Sequence, residues 1–71
     1  MPEVTYDPKR FGINLHSILK TLEITQVDFA ERAQMTPAAV SQIINGEREP
    51  SLQTVCKILG ALPVTFERLL R

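Results

Sequence analysis

The sequence predicts an all-α domain of five short helices, the second and third joined by a tight turn. Three observations predict it. Apolar residues recur at three- and four-residue steps through most of the chain, the spacing that gathers them on one face of a helix. Threonine or serine stands before the later segments, at Thr25, Thr36, Ser51 and Thr65, where a side-chain oxygen can take up the free amides of a first helical turn. Alternation of apolar and polar residues is never sustained, so nothing reads as a strand.

Residues 1–10 hold Pro2 and Pro8, and the proline after Asp7 disfavours helix there. They read as an extended N-terminal arm, with a disordered terminus as the plainer alternative. Lys9 and Arg10 reach a phosphate if such an arm lies along DNA; otherwise they are solvated cations. The folded domain is residues 11–71. Its first helix spans about Phe11 to Leu22, with Phe11, Leu15, Ile18, Leu19 and Leu22 on the buried stripe and His16 and Lys20 on the other side.

The second helix opens at Thr25, has Asp28 in its first turn, and carries Val27, Phe29, Ala30 and Ala33 at helical intervals. For the third, Thr36 is the cap and Pro37 sits in the first turn, where its missing N–H costs nothing. Asn45-Gly46 ends it, since both residue types tolerate a left-handed backbone. After the polar loop Glu47-Arg48-Glu49-Pro50, Ser51 caps a fourth helix whose expected buried face is Leu52, Val55, Cys56, Leu59 and Leu62. Pro63 breaks it. Thr65 then caps a last short helix bearing Phe66, Leu69 and Leu70.

Seventy-one residues make one small domain. One cysteine, Cys56, leaves no internal disulfide framework and no multi-cysteine zinc site; on the buried stripe it reads as a small core residue. No apolar run approaches the roughly 18 residues of a membrane span, and the N-terminus lacks the layout of a signal peptide, so a cytoplasmic protein with no membrane partner is expected. A lone His16, with no companion at ligand or catalytic spacing, points to neither a metal site nor a general base. No nucleophile–base pair, metal set or phosphate-cradling glycine loop is present, so no enzyme, no cofactor and no small-molecule substrate are expected. Eight basic and eight acidic side chains give a formal net charge of zero. A DNA binder of that composition must cluster its few cations on one face.

Particular residues carry a resemblance along almost the whole chain: Thr25-Gln26 opening helix 2, Ala30 where it crosses the next, Val40 with Ile43, Asn45-Gly46, Pro50-Ser51-Leu52, and Val64 to Leu70. In that order and spacing, over Phe11 to Leu70, the chain resembles the lambda-repressor-like helix-turn-helix family, the Cro-type and Xre-type regulators. Two helices crossing steeply need a small residue at their closest approach, which Ala30 supplies, while Val40 and Ile43 fill the angle.

The resemblance implies that helix 3 lies in the major groove of double-stranded DNA. Thr36, Pro37, Ala38, Ser41 and Gln42 would then face base edges, and Gln26, Asn45 and Arg48 would face phosphates. Gln42 is the candidate for a two-point contact to adenine, and Ala38 or Pro37 for a thymine methyl. So few readers in one copy imply a homodimer, for which Phe66 and Leu70 offer apolar material; both serve equally well to close the core, and Leu69 is core. The implied function is a sequence-specific transcriptional regulator, a small phage, prophage or bacterial repressor or control protein. The alternative on the same fold is a protein-interaction module, such as an antitoxin or the N-terminal part of a larger regulator.

Two departures from the family's pattern carry expectations of their own. Gln34 stands where the turn often has glycine, so it must adopt positive φ or leave a different turn. Leu19 and Ile44 stand where the family commonly pairs an arginine with a glutamate. Replacing a buried ion pair by two aliphatics removes desolvation costs from both partners, and contact between the two side chains is expected.

Overall fold

The computed structural model describes residues 6–71, which form α1 (Pro8–Thr21), α2 (Gln26–Arg32), α3 (Pro37–Ile44), α4 (Leu52–Ala61) and α5 (Phe66–Leu70). The first five residues of the expected arm lie outside the described residues. Its last three are helical. Pro8 holds Asp7 extended, at φ −121° and ψ 112°, and itself suits the first helical position. The Asp7 carboxylate accepts from the Lys9 N–H at 3.0 Å, so the residues that argue against helix at Asp7 start one immediately after it.

The four hydroxyl caps act as their positions predict. Thr25, Thr36, Ser51 and Thr65 accept from the backbone N–H groups of Asp28, Ala39, Thr54 and Arg68 at 3.1–3.3 Å. The first three helices end alike. Each closes in a Schellman motif, with a left-handed residue after the cap and a bond from the next amide back to the helix: Ile24 to Leu19 O, Met35 to Ala30 O and Glu47 to Gln42 O, at 2.8–2.9 Å. The left-handed residues are Glu23 (φ 57°), Gln34 (φ 56°) and Gly46 (φ 74°). Gln34 therefore keeps the turn and bears positive φ, while Asn45 stays right-handed and leaves that conformation to Gly46.

The core joins Phe11, Leu15, Ile18 and Leu19 of α1 to Phe29, Ala30, Ala33, Val40, Ile43, Val55, Ile58, Leu62 and Leu69. The α1 helix packs against both α3 and α5. Gly12 permits the first contact. A Cβ there would meet Ile43 O at 2.5 Å and stand nearer still to Ile44 O, so only a residue without a side chain lets the end of α3 press onto α1. Leu19 is buried and Ile44 is half-buried against the core. Two side chains of α1 close the other contact, Asn14 Nδ2 donating to Leu69 O at 2.8 Å and Arg10 Nη1 to Arg71 O; both serve carbonyls that a helix end leaves unbonded.

Some expected core residues lie outside. On α4, Leu52 is 79% exposed and Cys56 is also exposed, whereas Ile58 is fully buried. The stripe through Val55, Ile58, Leu59 and Leu62 has the same helical spacing as one through Leu52, Val55, Cys56 and Leu59, turned by part of a revolution. Which one faces inward is set by the helices packed against it. Leu22 is exposed because α1 ends at Thr21, and Val27 points away from the face that Phe29 and Ala30 bury.

Candidate nucleic-acid interface

The α3 helix has an anchored side and a presented side. Val40 and Ile43 are fully buried and fix its depth. Thr36, Pro37, Ala38 and Gln42 are exposed, Ser41 is half-buried, and Asn45 is exposed just past the helix end. Helical geometry places Ala38 and Gln42 in one row and Pro37, Ser41 and Asn45 in the next, four residues apart in each case. The structure therefore brings four of the five predicted base-facing residues together on one outward side, with the fifth, Thr36, exposed at its leading end as the cap. No residue of α3 is ionisable.

These polar groups are not equally free. The Thr36 hydroxyl oxygen accepts from the Ala39 N–H at 3.1 Å as the helix cap, which leaves its O–H to donate. Asn45 Nδ2 donates to Ser41 Oγ at 3.4 Å, so a residue expected at a phosphate is joined to one expected at a base. Gln42 makes no side-chain hydrogen bond to another described residue. Its amide is the most available two-point reader.

The three phosphate candidates come from different elements. Gln26 is the half-buried first residue of α2, Asn45 follows α3, and Arg48 is exposed in the loop beyond. Arg48 has no ion-pair partner among the described residues. Sequence reasoning missed how Lys9 is placed. Its aliphatic stem lies over Gly46, where a Cβ would stand 2.9 Å from Lys9 Cγ, so the first turn of α1 packs directly on the residue that follows the α3 cap. The signal was Gly46 itself, which serves both a left-handed turn and a close approach.

Helix, tight turn, helix, with the second helix anchored by Val40 and Ile43 and its outer face presented, is the geometry that a helix-turn-helix places in a DNA groove. A family model described as helix-turn-helix, of the Cro/C1 and Xre-like type, matches residues 15–69. The chain belongs to that helix-turn-helix family. Membership implies DNA binding, in the setting of a transcriptional regulator, and the family is typically non-catalytic. Among curated proteins, none matches the chain closely enough to count as a relative. No helix among the described residues is long and apolar enough to cross a membrane.

The helix-turn-helix pair is accompanied by an apolar groove of about 410 Å³, lined by Tyr6, Glu49, Pro50, Leu52, Val55, Phe66 and Leu70. Phe66 is exposed and Leu70 half-buried, so the two residues named for an interface share one surface, and Tyr6 and Leu52 join them. Tyr6 packs on Phe11 with ring centroids 5.9 Å apart. Partial burial, and then the carboxylates of Glu49 and Asp7, raise its phenol above the ordinary tyrosine range, so it remains a neutral wall of the groove.

Proposed function

We propose that this protein is a sequence-specific repressor or control protein of a phage, prophage or bacterium, working in the cytoplasm as a homodimer on double-stranded DNA. The α3 helix lies in the major groove. Gln42 reads adenine, Thr36 and Ser41 donate to base or backbone acceptors, and Pro37 and Ala38 meet apolar base edges. Gln26, Asn45 and Arg48 hold phosphates. The observation that supports this reading best is the outer face of α3, whose predicted readers are presented together while Val40 and Ile43 hold the opposite side in the core.

The apolar groove supports the dimer. A second copy covering Phe66, Leu70, Leu52 and Tyr6 would set two α3 helices for half-sites about one turn of DNA apart. One observation favours the rival, a protein-interaction module: α3 carries no cation, and the chain has no net positive charge.

Duplex binding measured against salt separates the two. A DNA reader loses affinity steeply as salt rises, and Arg48→Ala flattens that slope by about one unit if Arg48 neutralises one phosphate. A folded sample with no affinity for duplex at low salt would leave only the protein-partner reading. Light scattering at micromolar concentration tests the dimer, with Leu52→Ser as the variant that weakens it while leaving the core untouched.

A further inference from the structure

We propose that the apolar groove beside α4 and α5 binds a hydrophobic amine, a small molecule with an apolar body and one ammonium group, and that this ligand and a second copy of the chain exclude each other there. The exclusion rests on the dimer proposed above; the site itself does not. The walls carry the first half of the inference. Pro50, Leu52, Val55, Phe66 and Leu70 line a groove of about 410 Å³, in which Val55 is buried while Leu52 and Phe66 stand exposed. That volume lies within the roughly 300–1,000 Å³ of small-molecule sites, which are mostly apolar with a few polar groups. An alkyl chain or ring laid against these walls takes apolar surface out of water on both sides.

Charge carries the second half. Glu49 is the one charged residue in the lining, and it forms no ion pair with another described residue. Burial first, then the Glu49 carboxylate and then Asp7, raise the Tyr6 phenol, so two carboxylates act on that wall and no lining cation offsets them. Tyr6 and Phe66 add aromatic rings, which attract an ammonium group and offer nothing to a carboxylate. An acidic ligand would be repelled by Glu49, and a neutral one would leave its charge unused. A molecule with an apolar body and a single ammonium meets both the walls and the charge. Because Tyr6, Leu52, Phe66 and Leu70 are also the surface proposed for the second copy, the ligand takes that copy's place.

The test titrates the full 71-residue chain with butylamine, hexylamine and octylamine at about pH 7, where all three are ammonium ions, and with hexanol and hexanoate for comparison. Tyr6 is the only tyrosine and the chain has no tryptophan, so intrinsic fluorescence reports the groove directly. Thermal unfolding verifies that the protein and its variants stay folded. Affinity should rise about four-fold per methylene from butylamine to hexylamine. Hexylamine should bind at least about three-fold tighter than hexanol, and hexanoate more weakly than either. Glu49→Gln should bring hexylamine closer to hexanol, Leu52→Ser should weaken both, and the dimer fraction in light scattering should fall as hexylamine saturates the Tyr6 signal. No Tyr6 response to hexylamine or octylamine at concentrations on the order of 10 mM overturns the site. Hexanoate binding as tightly as hexylamine, or a preference for the amine unchanged in Glu49→Gln, overturns the assignment of its charge. Saturation with an unchanged dimer fraction, or a chain that is monomeric without ligand, overturns the exclusion and leaves the site standing. Absence of duplex binding would overturn the proposed function alone, because no residue of α3 takes part.

Discussion

Replacing Gly12 by alanine should destabilise the domain, although alanine is the better helix former. In an open helix the change gains about 0.5–1 kcal/mol of backbone entropy. At Gly12 the new Cβ would stand 2.5 Å from Ile43 O and 2.8 Å from the Ile44 carbonyl carbon, where ordinary contact begins at 3.4 Å. The obstacles are backbone atoms and have no rotamer to escape into. The end of α3 must withdraw from α1 by something near an ångström, dragging Val40 and Ile43 in the core. Overpacking of this kind costs about 1–3 kcal/mol, and because backbone atoms on both sides must give way the cost should exceed the helix gain, for a net loss of up to about 2.5 kcal/mol.

In a domain of this size each kcal/mol of that loss lowers Tm by roughly 4–8 °C. Gly60 is the control, because a Cβ there meets nothing within 4 Å. Gly60→Ala should raise stability by up to about 1 kcal/mol. Urea and thermal unfolding of the two variants read the contrast directly. Equal stabilisation by both substitutions would refute the claim that Gly12 sets the seat of α3 against α1.

Three further outcomes are expected. Gln34→Gly and Glu23→Gly should each stabilise the fold by up to about 1 kcal/mol, because both residues carry left-handed φ that glycine adopts without strain; a loss in chemical unfolding would show that their side chains compensate for it. Thr36→Ala should cost about 1 kcal/mol by stripping the cap from α3, and should weaken duplex binding as well; unchanged stability would mean that the 3.1 Å bond to Ala39 contributes nothing. Leu52→Ser, at a residue 79% exposed, should leave the unfolding free energy within about 0.5 kcal/mol of the wild type while lowering the dimer fraction in light scattering; a wild-type dimer fraction would remove Leu52 from the interface.

What was legible in the sequence was chiefly local. A cap needs only its own residue and an amide three positions on, so Thr25, Thr36, Ser51 and Thr65 could be placed without knowing the fold. Proline at the head of α3 and glycine at its end act equally locally. The same chemistry was under-read at Glu23, which carries the left-handed φ of Gln34 and Gly46 but belongs to no residue type that advertises it. Residues whose role depends on a distant partner were harder. Gly12 looks like a flaw in a helical stripe until the end of α3 is laid against it. The phase of α4 turned on Ile58 rather than Cys56 because two stripes share one spacing. The same limit applies to the interface: Pro37, Ala38, Ser41 and Gln42 share a side because helical geometry dictates it, with Thr36 ahead of them as the cap, whereas Lys9 beside Gly46 and Tyr6 in the groove depend on packing that no short motif records.

The central claim is that the outer face of α3 reads DNA sequence, and selection from random duplex by the wild type and by Gln42→Ala tests it most directly. The wild type should enrich a defined site containing adenine, and Gln42→Ala should lose preference at that base pair, by about 1–3 kcal/mol of discrimination, while keeping it elsewhere. An identical enriched site from both proteins would contradict the claim.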